Sequence, residues 1–320
     1  MERLEQIGFY TLSDARARSA SASSRLQRCE LLVTGRCNFR CPYCRSVGGP
    51  DLSVSAGNAV LDAWGDVRCV RLSGGEPTLH PALVGWVTRA KANGVERVAI
   101  STNGSAVLAL YGELLAAGVD DVSVSLDACC AEDGDRMAGR VRGAWDRVTT
   151  AIRWLSGRVY TTVGIVLTPD NQARAERTIA LAHDLGVADI RVIPAAQGEA
   201  ELPMLWIESD VTAAHPILAY RLAGLDSGEA VRGLRGSDSS RCHLALDDMA
   251  VVGGQHYPCI IYLREGGQPI GPVGSDMRRR RAGWVDAHDT HDDPICRRNC
   301  LDVCRDYNNA WERFHGRPQP

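Results

Sequence analysis

The sequence predicts an α/β fold: an open, partial barrel of six strand–helix units followed by a smaller cysteine-rich unit. Three observations carry this expectation. Between residues 29 and 226, short β-branched runs alternate with helical patterns, which implies parallel strands joined by right-handed crossovers. Six such units are too few to close an eight-fold barrel. Beyond about Val211 the alternation gives way to a Gly-rich stretch holding Cys242, Cys259, Cys296, Cys300 and Cys304, with short strands and a small core. The expected division is a leader at 1–28, the barrel at 29–226 and the second unit at 227–320.

Cys29 to Thr34 reads as the first strand, and the run Cys37-Asn38-Phe39-Arg40-Cys41-Pro42-Tyr43-Cys44 follows it. A helix is expected over Ala56 to Trp64, then a strand over Val67 to Leu72 that stops at Ser73-Gly74-Gly75-Glu76-Pro77. Pro81 to Ala92 has proline at its start and Gly94 past its end, as helices do. The third strand, Arg97 to Ser101, ends in Thr102-Asn103-Gly104, and the helix Ala106 to Ala117 closes at Gly118. In the fourth strand, Asp121 to Leu126, the residues Val122, Val124 and Leu126 face one way and Ser123 and Ser125 the other. The helix Ala144 to Leu155, the strand Val159 to Leu167, the helix Gln172 to Leu185 and the strand Ile190 to Ile193 complete the barrel. Helices over Val211 to Leu225 and Asp306 to Phe314 follow. In such sheets chemistry gathers at the carboxyl ends of the strands. Those ends hold the cysteine run, Gly74-Gly75-Glu76-Pro77, Ser101 to Gly104, Asp127 to Cys130 and Pro194-Ala195.

A formal charge of -3 gives no sign of a polyanionic partner, so nucleic acid is not expected. No apolar run is long enough to span a membrane, and Met1 to Arg25 lacks the apolar core of a signal peptide, so the expected location is the cytosol. Twelve cysteines, clustered in a cytosolic chain, suggest metal or redox chemistry and not a disulfide framework. Lys91 is the single lysine, and arginine supplies nearly all the positive charge, which suggests a GC-rich coding sequence.

Three cysteines spaced C-x3-C-x2-C after a strand can bind three irons of a [4Fe–4S] cube through thiolates, leaving the fourth iron open. The alternative is a zinc knuckle, which ordinarily takes four local ligands. This spacing, with Tyr43 before the last cysteine and Gly74-Gly75-Glu76-Pro77 after the second strand, resembles the radical S-adenosylmethionine (SAM) superfamily. The resemblance runs over about two-thirds of the chain and implies a partial (β/α)6 TIM-like barrel. It also implies an open iron that chelates SAM and a 5′-deoxyadenosyl radical that takes a hydrogen atom from substrate, with a flavodoxin or ferredoxin as reductant. Carried over residue by residue, Gly74, Gly75, Glu76 and Pro77 contact the SAM amino group, with Glu76 as an anion for the ammonium. Ser101 and Asn103 hold SAM polar groups, Ser123, Ser125 and Asp127 match an S-x-S-L-D strand, and Arg136 meets the SAM carboxylate. Gly164 and Ile165 match an adenine-contacting G-x-I, and Pro194 closes on adenine. Each of these positions also has an ordinary structural reading.

Cys242 and Cys259, with Gly254 set before the latter in a G-x4-C spacing, resemble the start of the SPASM and twitch domains, which carry auxiliary [4Fe–4S] clusters. Five cysteines fit the shorter, twitch-like arrangement of one cluster. Two of Cys296, Cys300 and Cys304 would complete the ligand set, which pair being open, and at helical spacing all three share one face. A structural zinc site is the alternative. Cys29 and Cys69 read as core residues. Cys129, Cys130 or a spare Cys304 is a candidate hydrogen-atom donor to a substrate radical, against an inert loop reading for the first two. Arg278 to Arg281 is expected in a loop, either solvated, docking an acidic reductant or meeting a phosphorylated substrate, and His243, His256, His288 and His291 show no metal-like pairing.

Three functions follow. The first is epimerisation or alcohol dehydrogenation of a polar small natural product of the sugar, aminoglycoside or oligosaccharide type. The second is peptide modification, and the third a non-catalytic Fe–S carrier, disfavoured because a carrier needs no open SAM site. Twenty-eight residues before the first strand leave no room for the leader-binding domain common in peptide-modifying relatives, which argues for the small molecule. The composition fits antibiotic biosynthesis by association.

Overall fold

The structure, a computed structural model, describes residues 14–64, 67–196 and 204–316; the first thirteen residues of the expected leader lie outside these. Six parallel strands run in chain order: β1 (Arg28–Thr34), β2 (Cys69–Gly74), β3 (Arg97–Thr102), β4 (Asp121–Ser125), β5 (Tyr160–Leu167) and β6 (Asp189–Pro194). This is the α/β, partial-barrel fold expected. β7 (Asp248–Val252) pairs in parallel with the outer side of β1, and β8 (Gln255–Tyr257) and β9 (Gly271–Pro272) add antiparallel edges. The sheet therefore reads β6-β5-β4-β3-β2-β1-β7-β8-β9. Arg28 stands opposite Asp248 across the β1–β7 seam and pairs with it at 2.8 Å.

Strand parity sorts the two faces. Leu31, Leu72, Ile100, Val124, Ile165 and Val192 are no more than 1 % exposed and pack under the helices. Each such side chain contributes about 1.5–3 kcal/mol through burial. The alternate residues face inward, and many of them are polar: Glu30, Arg71, Ser73, Ser101, Ser123 and Arg191. Polar groups are tolerated there because they are bonded to one another. Ser73 donates to Glu30 at 2.8 Å, Arg71 to Ser101 at 2.8 Å and Arg191 to Ser123 at 3.2 Å.

Three expectations are corrected. The helix over Val211 to Leu225 is two, Ser209–Ala214 and Pro216–Asp226, because Pro216 cannot donate to a continuing helix. The arginine run lies in a helix, Met277–Ala287, not a loop. Met277, Arg281 and Val285 form its buried stripe, and Arg281 donates to the carbonyls of Ala245, Asp248, Tyr257 and Pro258. Arg278 bonds Leu246, Ser21 and Ser24 carbonyls, so half of the run is internal structure, while Arg279 and Arg280 lie beside Asp276. The cysteine run near the C-terminus is not on one helix. Cys296 lies in Pro294–Asn299, the chain is extended at Cys300 and Leu301, and Cys304 lies in Asp302–His315. Two short helices were not expected, Ala15–Ser19 and Ala131–Met137. The former holds Arg16, which pairs with buried Asp247 at 2.6 Å. Among the described residues, no helix is long and apolar enough to cross a membrane.

Candidate active site

The loop after β1 carries Cys37, Cys41 and Cys44, and all three line one cavity of about 410 Å³ at the carboxyl ends of the strands. Backbone bonds fix this loop: Gly75 donates to Thr34 at 2.8 Å, Glu76 to Arg36 at 2.7 Å and Arg40 to Ala138 at 2.9 Å. The two glycines make that approach possible. A Cβ at Gly74 would sit 2.3 Å from the Thr34 oxygen, and one at Gly75 2.2 Å from the Arg36 oxygen. Phe39 N–H approaches the Cys37 sulfur at 3.4 Å and the Asn103 amide approaches it at 3.7 Å. Burial pushes the Cys41 thiol up to about 12, with Asp127 and the other two cysteines adding to the shift. Three thiols of one loop that border one space suit a metal that would hold them as thiolates. The donor set thus fits a three-coordinated [4Fe–4S] cluster.

Tyr43 donates its hydroxyl to Asp127, whose other oxygen accepts from Val166 N–H at 2.7 Å. Asp127 lines the cavity and burial pushes its carboxyl up to about 6. It links the cysteine loop to β4 and β5. Gly74, Gly75, Ser101, Asn103 and Ser125 also line the cavity.

Other expected cofactor contacts are placed elsewhere. Glu76 is fully buried and does not face the cavity. Its oxygens accept from Thr78 N–H and hydroxyl, from the Thr102 hydroxyl at 2.7 Å and from Asn103 N–H at 2.6 Å. It ties the β2 and β3 ends together, and burial raises its pKa. Pro77 is buried at the start of a 3-10 turn. Ile165 packs in the apolar core, because parity turns it to the helix side; its neighbour Val166 lines the cavity. Ser123 is buried as the acceptor of Arg191, and Pro194 offers its carbonyl to Arg232 while Ile193 and Ala195 line the cavity. Arg136 stands outside, paired with Asp133 at 3.0 Å.

Cys129 and Cys130 do not line the cavity, whereas Ala128 before them does. Cys130 begins the Ala131–Met137 helix, and its thiol donates to Asp133 at 3.4 Å. Neither candidate donor stands at the cavity wall. Cys29 and Cys69 are buried, as expected of core residues.

Cys242, Cys259, Cys296, Cys300 and Cys304 all line one small pocket beyond β7. Cys259 and Cys304 line the large cavity as well. Burial pushes the Cys242 and Cys259 thiols up to about 12, with neighbouring cysteines adding to both. Five thiols around one pocket suit an Fe–S cluster by donor chemistry. Histidine pairing was missed: His288 lies 3.8 Å from the Cys296 sulfur and 3.5 Å from Asp293. Its signal was the spacing H-x4-D-x2-C at a helix start. His256 accepts from Arg281, His291 bonds the Asp238 carbonyl, and His243 stacks on Trp311.

Residues 31–182 match the radical SAM superfamily. This chain carries a radical SAM domain. A protein of Metallosphaera sedula described as a probable GTP 3′,8-cyclase is 29% identical over 178 residues, 52% of this chain and 55% of its own. The GTP 3′,8-cyclase of Heliobacterium modesticaldum is 29% identical over 236 residues, 69% and 70% of the two chains. This chain spans little more than half the length of the first of these relatives. Among solved structures, Streptococcus suis SuiB superposes with a TM-score of 0.59 at 16% identity, covering 85% of this chain and 67% of that one. anSMEcpe with bound AdoMet gives 0.58 at 11%, covering 90% and 92%. These two likenesses concern the fold alone. The radical SAM domain implies a [4Fe–4S] cluster and SAM as cofactors.

Proposed function

We propose that this radical SAM enzyme removes a hydrogen atom from a polar small molecule of the sugar type held inside the sheet, and that the product is its epimer, in antibiotic biosynthesis. The observation that carries the reading is the inward face of the strands, where Glu30, Arg71, Ser73, Ser101, Ser123 and Arg191 are interbonded charges and hydroxyls. These groups suit a hydroxyl-rich ligand, while Phe39, Met137, Trp145 and Ile261 give the same cavity an apolar side. The cyclases among its relatives are named for GTP, a polar small molecule; SuiB has been solved with its precursor peptide SuiA, and peptide modification is the competing outcome of the test below.

Cys37, Cys41 and Cys44 would hold the [4Fe–4S] cluster, and Gly74, Gly75, Ser101, Asn103, Ser125 and Asp127 would border SAM. Together, when bound, these cofactors supply one electron and a hydrogen-abstracting radical. Residues 227–320 would form a twitch-like unit in which Cys242, Cys259, Cys296 and Cys300 hold an auxiliary cluster. Cys304, which faces both pockets, would return a hydrogen atom to the opposite face of the substrate carbon, and one electron from the flavodoxin- or ferredoxin-type reductant with one solvent proton would restore the thiol from its thiyl radical. Fully buried Glu76 keeps β2 and β3 in register, and Asp127 holds Tyr43 over the cysteine loop. Its wall position also gives Cys304 a second reading, as a cluster ligand beside the substrate, in which case an electron leaves through the cluster and the product is a ketone.

The test is incubation of reduced, iron-reconstituted enzyme with SAM and candidate sugars or peptides in deuterium oxide. A sugar epimer carrying one solvent deuterium is expected. A product lighter by two hydrogens selects the dehydrogenase, and turnover of peptides alone overturns the small-molecule reading.

A further inference from the structure

The charge of the cavity wall narrows the substrate further. Seven arginines line the cavity against three carboxylates, Glu30, Asp127 and Asp248. Arg28, Arg45 and Arg221 are ion-paired with Asp248, Glu265 and Asp302. Arg71 and Arg191 are engaged with wall serines. Arg232 and Arg264 differ. Arg232 gives Nε and Nη2 to the Pro194 carbonyl at 3.1 and 3.0 Å, and its Nη1 is buried with no hydrogen-bond partner among the described residues. Arg264 reaches the Arg45 and Gly74 carbonyls at 3.5 Å each. Among the described residues neither arginine forms an ion pair.

Their placement is as informative as their charge. Arg264 reaches the end of β2 and Arg232 the end of β6, so the two approach the cavity from opposite sides of the sheet opening. Burial, followed by repulsion from Arg45, pushes Arg232 down to about 10, which leaves it a cation at neutral pH. A buried guanidinium bonded only to carbonyls is costly unless an anion joins it. SAM does not supply that balance: its carboxylate arrives with an ammonium and a sulfonium.

We infer that the substrate carries an oxyanion, a phosphate ester or a carboxylate, that docks between Arg232 and Arg264. Planar guanidinium forks match either group in bidentate fashion. This rests on the reading of the cavity as the seat of a polar small molecule and adds the anionic handle that orients it. Held from the C-terminal side, the handle fixes which carbon faces the cysteine loop.

The test titrates SAM-loaded, iron-reconstituted enzyme calorimetrically with pyrophosphate and, separately, with succinate. One of the two is expected to bind, and which one does distinguishes phosphate from carboxylate. Arg232→Gln and Arg264→Gln should each weaken that binding about tenfold or more, with the SAM Kd unchanged within about twofold. Because Arg232 also anchors Pro194, Arg264→Gln keeps the test decisive should the other variant fail to fold. The inference is overturned if neither anion binds, if both variants bind as the parent does, or if SAM affinity falls with anion affinity. That last outcome would assign the arginines to the SAM carboxylate. Formation of 5′-deoxyadenosine by the same reduced preparation reports separately on the radical chemistry, so failure of the inference and failure of the proposed function are distinguishable.

Discussion

Gly75→Ala and Gly112→Ala should move stability in opposite directions. The added methyl at Gly75 would meet the Arg36 carbonyl oxygen at 2.2 Å and the Gly35 oxygen at 3.0 Å, both backbone. A relaxed carbon–oxygen contact needs about 3.3 Å, so the strand end and the cysteine loop must part by about 1 Å. That separation weakens the Gly75-to-Thr34 and Glu76-to-Arg36 bonds, now 2.8 and 2.7 Å. Each contributes about 0.5–1.5 kcal/mol, and with overpacking the loss is about 2–4 kcal/mol. For a chain of this length the midpoint of thermal unfolding should fall by about 3–6 °C. Gly112 lies inside the Leu108–Ala117 helix with open space around it, so alanine there should stabilise by about 0.5–1 kcal/mol. The assays are thermal unfolding of the iron-free protein and iron per chain after reconstitution. Gly75→Ala should lose about four irons, and Gly112→Ala none. Equal midpoints with full iron in Gly75→Ala, or equal destabilisation by both changes, would refute this account of how β2 positions the cysteine loop.

Iron counting also sorts the second cysteine set. Cys242→Ser should lower the reconstituted protein from about eight irons to about four, while Cys304→Ser should keep about eight and lose solvent deuterium in the product. Arg281→Met removes a fully buried guanidinium from four carbonyls and should cost about 3 kcal/mol in urea unfolding. Burial pushes Asp189 up to about 6, although Ile190 and Ile217 N–H donate to it. Folding therefore strengthens its hold on the proton relative to about 3.9 in the unfolded chain. Its contribution is complete below about pH 4 and is lost as pH rises through about 6, to a total of roughly 3 kcal/mol. Asp189→Asn should flatten that stretch of the stability–pH curve, as read by urea midpoints at pH 4 and pH 7.

What the sequence revealed and what it concealed have a common physical origin. Alternation of β-branched and polar residues is local, so the six strands, and the loop bearing Cys37, Cys41 and Cys44, were legible from it. Facing is not a local property when both faces of a strand are buried. Ile165 and Val166 are equally apolar, and the register of β5 between β4 and β6 alone decides that the second one borders the cavity. Glu76 shows the same limit. A carboxylate in a glycine turn invites a reading as a ligand for a cation, but four donors from Thr78, Thr102 and Asn103 converge on it only once β3 lies beside β2. The arginine run, by contrast, carried an unused signal. Met277, Arg281 and Val285 recur at four-residue intervals, and that periodicity marks a helix stripe in which one charge must go inside. A charge so buried implies acceptors waiting for it, here the carbonyls around β7 and β8. Arg232 obeys the same logic with one difference: its Nη1 has no acceptor among the described residues. That difference separates an arginine that completes the fold from one that awaits a substrate.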